Sequence, residues 1–422
     1  MARPRRPPAR QRARRSEAPA QAQAVTRKAE RRARLLRWAS IVLAGTLAAL
    51  VAGWLLAGGW IVGLAIVAVA LGIAHRAMIA PSGTAILTYH SVDPEPRWLP
   101  WGREIAVHPA TFATHMATLA RMGDAVLPTR EWVARRQAGA PVPARCVLLH
   151  LDDGYRDNLV HAAPVLAHHG FAATIFPSLD FIEPGTTTRP APTGACEGYL
   201  NWPELAVLAQ QGIEIEPHGV AHARVPVSER ATGTLDAQNW RANAWMQWAA
   251  TPGPKHDWFR HAAPQAVPLG SPIPESGLAL AARAWTGNGR EDADALAARI
   301  TRDLSACRIA FEKSLGRTPH IFCWPENKAV PEGRRIATDL GYRATTGGKG
   351  RNTTSEDPAI LSRIHMGDRA IGFRWQPAEA LHFHAAVRLM QGNHYWYLVL
   401  LPMHAARRLI LRLRVLFGDD FA

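Results

Sequence analysis

Val147-Leu148-Leu149-His150-Leu151-Asp152-Asp153-Gly154-Tyr155 is the stretch on which the rest of the chain is read. Its apolar run has the length of a strand and stops at two adjacent carboxylates and a glycine. About sixty residues on, a second run, Gly212-Ile213-Glu214-Ile215-Glu216, delivers His218 and His222. Two acids and two imidazoles, each set past the end of a strand-like run, can meet on one rim and hold a metal ion.

Outward from this stretch the pattern alternates. Ala85–Tyr89 reads as a strand ending at His90, and Pro109–Met122 as a helix closed by Gly123. Ala125–Leu127 is a short strand and Thr129–Gln137 a helix. Behind the acidic pair come a helix over 157–169 stopped by Gly170, a strand Phe171–Phe176, and a helix Asn201–Gln211 capped by Asn201. A long amphipathic helix over Asp292–Leu315 precedes a strand Ile321–Trp324, a helix Glu332–Leu340 and short strands near Ala344 and Leu361–His365. Such alternation predicts an α/β fold, a mainly parallel sheet or barrel with outer helices. Barrels carry their chemistry on loops at the C-terminal ends of strands. His90, Asp152, Asp153, His218 and the Trp324-Pro325 pair all fall there.

The formal charge of +15 belongs to one end of the chain. Thirteen of the 49 basic residues and two of the 34 acidic ones lie in residues 1–37, which leaves 36 against 32 elsewhere. The folded part therefore has no basic surface for nucleic acid, and the tail reads as disordered and cytoplasmic. Trp38–Ala74 follows, 37 residues without a charged side chain. It divides at Gly58-Gly59, so residues 38–79 are expected to form a transmembrane helical hairpin that returns the chain to the cytoplasmic side. The alternative, one tilted span, would place the rest outside. The four cysteines, Cys146, Cys196, Cys307 and Cys323, lack zinc-finger spacing, and Cys146 and Cys323 read as buried free thiols. Residues 223–290 are poorly periodic and hold five of the fifteen tryptophans, either a glycan-facing insertion or a satellite core. Residues 385–422 mix aromatic and aliphatic runs with Arg407, Arg408, Arg412 and Arg414, as a helix lying in an anionic membrane interface would.

Alone, an acidic pair or a His-x-x-x-His spacing says little in a chain with 18 histidines. In this order, on separate βα units, the two resemble the motifs of the polysaccharide deacetylases (NodB-like, carbohydrate esterase family 4) over roughly residues 84–366. Leu151-Asp152-Asp153-Gly154-Tyr155 looks like the first motif, His218 to His222 like the second, and Phe322-Cys323-Trp324-Pro325 like the third. Leu340-Gly341-Tyr342 falls where that family carries its Gly-Tyr. The opening Ile86-Leu87-Thr88-Tyr89-His90-Ser91-Val92 is similar to that of the permuted poly-N-acetylglucosamine deacetylase branch.

The resemblance implies a distorted (β/α) barrel over 84–375 and a metal-dependent amidase of amino sugars. On it, Asp153, His218 and His222 hold a divalent metal, zinc being the expected ion, and Asp152 is the base. His90 is the general acid, with His365 as second choice, and Arg363 orients Asp152. Tyr155 supplies an oxyanion N–H, and Trp324 and Pro325 border the substrate. Two departures stand out: Gly219 replaces the usual Ser or Thr, and Glu326-Asn327 replace Tyr-Gly. The expected partner is an amino-sugar polysaccharide or a lipid-linked glycan at a bacterial inner membrane, with the catalytic domain on its cytoplasmic face and no nucleic acid. Rival readings are a deformylase of a polyprenyl-linked sugar and an inactive glycan binder. An iron oxygenase uses the same donor types, but Asp153 and His218 stand 65 residues apart in an α/β pattern, which argues against it.

Overall fold

The computed structural model describes residues 40–56 and 58–417. The basic tail of residues 1–37 lies outside them. Contacts divide the chain into two units, one reaching to Pro81 and including Gly392–Tyr395, the other Ser82–Gln391 with the residues from Trp396 onward.

In the first unit, helix α1 (40–55) and helix α2 (Trp60–Met78) are joined through Gly58, at φ +95°. The Leu55 side chain packs onto the Gly63 backbone, where a Cβ would lie 2.8 Å from its Cδ2. The division at Gly58-Gly59 is therefore seen. Among the described residues no helix is long and apolar enough to cross a membrane. Helix α2 carries His75 and Arg76 in its last turn.

The second unit is built on parallel strands: β1 (Ala85–Tyr89), β2 (Ala125–Val126), β3 (Cys146–Asp153), β4 (Thr174–Pro177), β5 (Glu214–Ile215), then β8 (Ile321–Phe322), β9 (Ala344–Gly348) and β10 (Ile360–His365). Their order is β5-β4-β3-β1-β10-β9-β8, with β2 also paired to β3. Between β5 and β8 the closure is thin. Cys323 N–H donates to Pro217 C=O at 3.0 Å, and the buried Glu216 carboxylate accepts from His320 and Ile321 N–H. A side chain thus replaces the ladder there, and the barrel is distorted.

Helices take the places their caps mark. Helix α3 (Pro109–Met122) ends on Gly123 in the left-handed region, and α4 is Thr129–Gln137. A π-helical turn over Asn158–Ala162 opens α5 (Ala163–His169). Helix α6 (Trp202–Gln210) carries a full capping box between Asn201 and Glu204. Helices α7 (Ala293–Leu315), α8 (Pro331–Asp339), α9 (Gln376–Met390) and α10 (Tyr397–Phe417) follow, with short helical turns at Gly102–Ile105 and Trp245–Ala250. Helix α10 sets Val399 and Met403 against Ala370, Ile371 and Ala378 and leaves Leu398, Leu409 and Leu416 exposed. All four cysteines are free and buried. The insertion over 223–290 holds an antiparallel ribbon, β6 (Arg224–Thr234) with β7 (Pro272–Leu278), that no alternation in the sequence announces.

Candidate metal and catalytic site

Strand β3 is buried along nearly its whole length and delivers Asp152 and Asp153 opposite Phe176 and Pro177 of β4. The chain then turns through two left-handed residues, Asp153 at φ +70° and Gly154 at φ +73°. Only glycine fits the second position, because a Cβ there would lie 2.6 Å from Pro177 Cβ. This turn aims the two carboxylates differently.

Asp153 meets His218 and His222. One ligand atom from each lies within 4.8 Å of the others. His218 is 1% exposed, and its Nδ1 stands 2.9 Å from Cys323 C=O, so the ring donates from Nδ1 and turns Nε2 to Asp153 Oδ1 at 3.4 Å. His222 sits at φ +47°, its ring 5.3 Å from that of His218. Burial works against the Asp153 charge, but His218 and the nearby imidazoles outweigh it and hold its carboxyl at about 2. Burial pushes the His222 imidazole down and keeps it neutral, as a metal ligand must be. Burial disfavours a charge on His218, but Cys323, Asp153 and Asp152 raise its imidazole well above the ordinary value. With that proton displaced on binding, a carboxylate and two imidazoles, one fixed by a backbone carbonyl, fit a divalent ion with open positions. Gly219 finds its reason here. It adopts φ +85°, and Val220 N–H donates to the half-buried Asp303 carboxylate at 3.2 Å. A serine at that φ would be strained, and the carbonyl of Cys323 orients His218 without a hydroxyl.

Asp152 turns the other way. Arg363 grips it with two parallel bonds, Nη1 to Oδ1 at 2.7 Å and Nη2 to Oδ2 at 2.8 Å, both side chains almost fully buried. Burial alone would raise its pKa, but Arg363 and the imidazoles of His218 and His90 hold the carboxyl well below the usual range. His90 Nε2 lies 3.9 Å from Asp152 Oδ2. His365, from the neighbouring strand, has its ring 5.2 Å from that of His90 and its Nε2 3.2 Å from Glu104 C=O. Burial, with His90 beside it, pushes His365 down to about 4.

The cluster opens into a cavity of about 500 Å³ whose walls include Trp101, Tyr155, Phe181, Tyr199, Trp245 and Trp248. Trp324 and Pro325 are not on those walls. The Trp324 ring is fully enclosed among Ile300, Ile336 and Tyr342, because β8 turns its side chain outward toward α7 and α8; that expectation is corrected. Glu326 and Asn327, both at positive φ, reach the cavity instead. The insertion divides its tryptophans: Trp245 and Trp248 line the cavity, while Trp240 sits in a satellite core with Leu235 and Ile273. Tyr155 N–H has no hydrogen-bond partner among the described residues, although its neighbours Gly154 and Arg156 bond across to Leu200 and Gly198.

Sequence reasoning passed over Asp157 and Asn158. Asp157 accepts from Ser91 Oγ at 2.7 Å and Val92 N–H at 2.9 Å, and Asn158 Nδ2 donates to His90 C=O at 2.8 Å. Together they pin the loop that carries His90. Two polar residues one turn past the acidic pair were the available signal, but polarity alone does not mark burial.

A family model described as polysaccharide deacetylase matches residues 139–264, a stretch that contains Asp152, Asp153, His218 and His222 but not His90 or Arg363. YxkH of Bacillus subtilis (strain 168), provisionally named a polysaccharide deacetylase, is 30% identical over 142 residues, which is 34% of this chain and 44% of that one. The chain thus matches less than half the length of that relative. Among solved structures, a de-N-acetylase from Aggregatibacter actinomycetemcomitans is similar at TM-score 0.48 and 18% identity, over 67% of this chain and 94% of its own. The BpsB deacetylase domain of Bordetella bronchiseptica is similar at TM-score 0.46 and 17% identity, over 68% and 97%.

Proposed function

We propose that this chain is a metal-dependent hydrolase of the polysaccharide deacetylase family that removes an N-acetyl group from an amino-sugar polymer. One observation carries the reading: Asp153, His218 and His222 offer ligand atoms within 4.8 Å of one another, while Asp152, also close to His218, has both carboxylate oxygens bound by Arg363. The first three residues would hold the divalent ion, zinc by preference, which when bound polarises the acyl carbonyl and acidifies water. Asp152, ionised and fixed in orientation, accepts the proton of the attacking water. Tyr155 N–H donates to the developing oxyanion. His90 protonates the departing amine. His365 is the weaker choice for that step, because burial keeps it neutral and its Nε2 is engaged by Glu104 C=O. The aromatic walls suit the apolar faces of sugar rings.

The location belongs to the same proposal: the surface of a bacterial inner membrane, with the catalytic unit on the cytoplasmic face. Exposed apolar side chains support it, among them Leu56 at 91% and Leu416 at 76%. That location favours a second substrate, a polyprenyl-linked N-acyl amino sugar. The test is acetate and formate release from chitooligosaccharides and from lipid-linked amino sugars, with metal-loaded and chelated protein. Metal-dependent release, lost in Asp152→Asn, is expected. No release from any substrate while metal and glycan still bind would leave an inactive glycan binder.

A further inference from the structure

Beside the catalytic cavity, on the same rim, lies a second cavity of about 750 Å³. The loop after β1 and the loop after β10 form its walls, and these two strands are neighbours in the sheet. They are also the strands that present His90 and His365, and the segment Trp101–Glu104 separates the two cavities.

Arginine crowds the second cavity. Arg369 and Arg374 both turn their Nε edges to one carboxylate, Asp368, at 3.7 and 2.7 Å. Among the described residues the Nη groups of both have no hydrogen-bond partner. Burial lowers the Arg369 pKa; Asp368 opposes this, while Arg374, Arg103 and Arg414 push it down further. Three cations therefore face Arg369 against one anion. The other acids on the walls do not redress this: Glu95 is taken by Arg97 at 2.8 Å, and Asp93 caps Glu95 N–H at 2.7 Å.

A structural ion pair would need one arginine, and the second costs repulsion in a partly buried place. The backbone is held against relaxing. Arg369 sits at φ +63°, a conformation that costs a non-glycine residue on the order of 1 kcal/mol. Ala370 N–H donates to the buried Glu379 carboxylate at 2.9 Å, and Gly372 packs so closely on Ile410 that a Cβ would lie 2.8 Å from it. A rigid loop that holds two guanidinium forks open beside a reaction site is built for an anion with several oxygens.

We propose that Arg369 and Arg374, with Arg103 at the rim, bind a phosphate group carried by the amino-sugar substrate, next to the sugar in the catalytic cavity. The phosphate site stands on its own geometry, while its place on the substrate rests on the hydrolase reading above. Phosphate oxygens accept from the Nη groups, and the shared Asp368 carboxylate faces the Nε of both side chains.

The full chain is titrated with inorganic phosphate by calorimetry, as wild type, Arg369→Gln/Arg374→Gln, Arg103→Gln and His222→Ala. Binding should weaken about tenfold or more in the double variant and persist in His222→Ala. Arg103→Gln, on an exposed side chain that no packing depends on, should weaken binding without touching the fold. The reverse pattern, with phosphate retained by the arginine variants and lost with His222, would place the anion at the metal site and overturn the proposal. Kinetics then separate the two readings. For a phosphorylated N-acetyl amino sugar, KM should rise about tenfold in Arg103→Gln, with kcat and the turnover of neutral chitooligosaccharides unchanged. Equal KM for both substrates in both proteins would remove phosphate from the substrate and leave the hydrolase standing. Phosphate binding at the arginines without turnover of any substrate would keep the site and sink the hydrolase.

Discussion

Arg363 separates two acids that sit side by side in the chain. Its fork holds Asp152 charged and still, while Asp153 turns through a left-handed φ toward the histidines. Arg363→Met leaves a buried carboxylate without its cation, a change of about 3–5 kcal/mol for such pairs. The Asp152 pKa then rises, so the acid limb of the pH–rate profile moves upward and kcat falls by roughly a hundredfold or more. Arg363→Lys keeps the charge but not the two parallel bonds, and should recover the limb more fully than kcat. Metal content should be unchanged in both, as measured by elemental analysis; loss of metal would give Arg363 a structural role only. At this scale the sequence was legible where the chemistry is local. Asp152, Asp153, His218 and His222 stand at strand ends and meet in space. Trp324 misled because its neighbour in the chain, Cys323, does face the site: Cys323 lies beside Asp152 while the Trp324 ring packs behind the wall. A strand alternates its faces, and a one-residue shift in the reading moves a side chain from cavity to core.

Among the elements, the π-helical turn after β3 ties the His90 loop to the acidic motif through Asp157. Burial raises the Asp157 pKa from its ordinary value to about 7, against the pull of its Val92 and Ser91 hydrogen bonds. The sign follows from linkage. Between the ordinary carboxylate range and about pH 7 the folded state holds a proton that the unfolded state has lost. Stability from this group is full below the unfolded pKa and declines as pH rises through 7. Asp157→Asn should flatten that decline in urea titrations at pH 5 to 8; an unchanged slope would remove Asp157 as its source. The insertion offers a second test. Trp248 lines the cavity and packs edge-on to Trp101 and Trp258. Trp248→Ala should raise KM for oligosaccharides by about tenfold, a loss of one aromatic stacking contact of 1–2 kcal/mol, with kcat changed less. An unchanged KM would assign it to the satellite core. Helix ends were readable at Gly123, Gly170, Asn201, Asp292 and Gly316 because caps are local chemistry. The ribbon β6–β7 was not, since its pairing is set by distant partners and a shifted register rather than by alternation.

At the scale of the molecule, a barrel that closes through Glu216 and one Cys323–Pro217 bond brings β5 and β8 close enough for Cys323 C=O to orient His218. Closure and the candidate metal site thus share Cys323, and an ion bound there would stabilise the fold by mass action. The measurement that bears most directly on the account is elemental analysis of the purified protein and three variants. About one divalent ion per chain is expected in the wild type and in Asp152→Asn, and a small fraction of that in His218→Ala and His222→Ala. A full complement of metal in the histidine variants, or none in the wild type after incubation with zinc, cobalt or nickel, would contradict it.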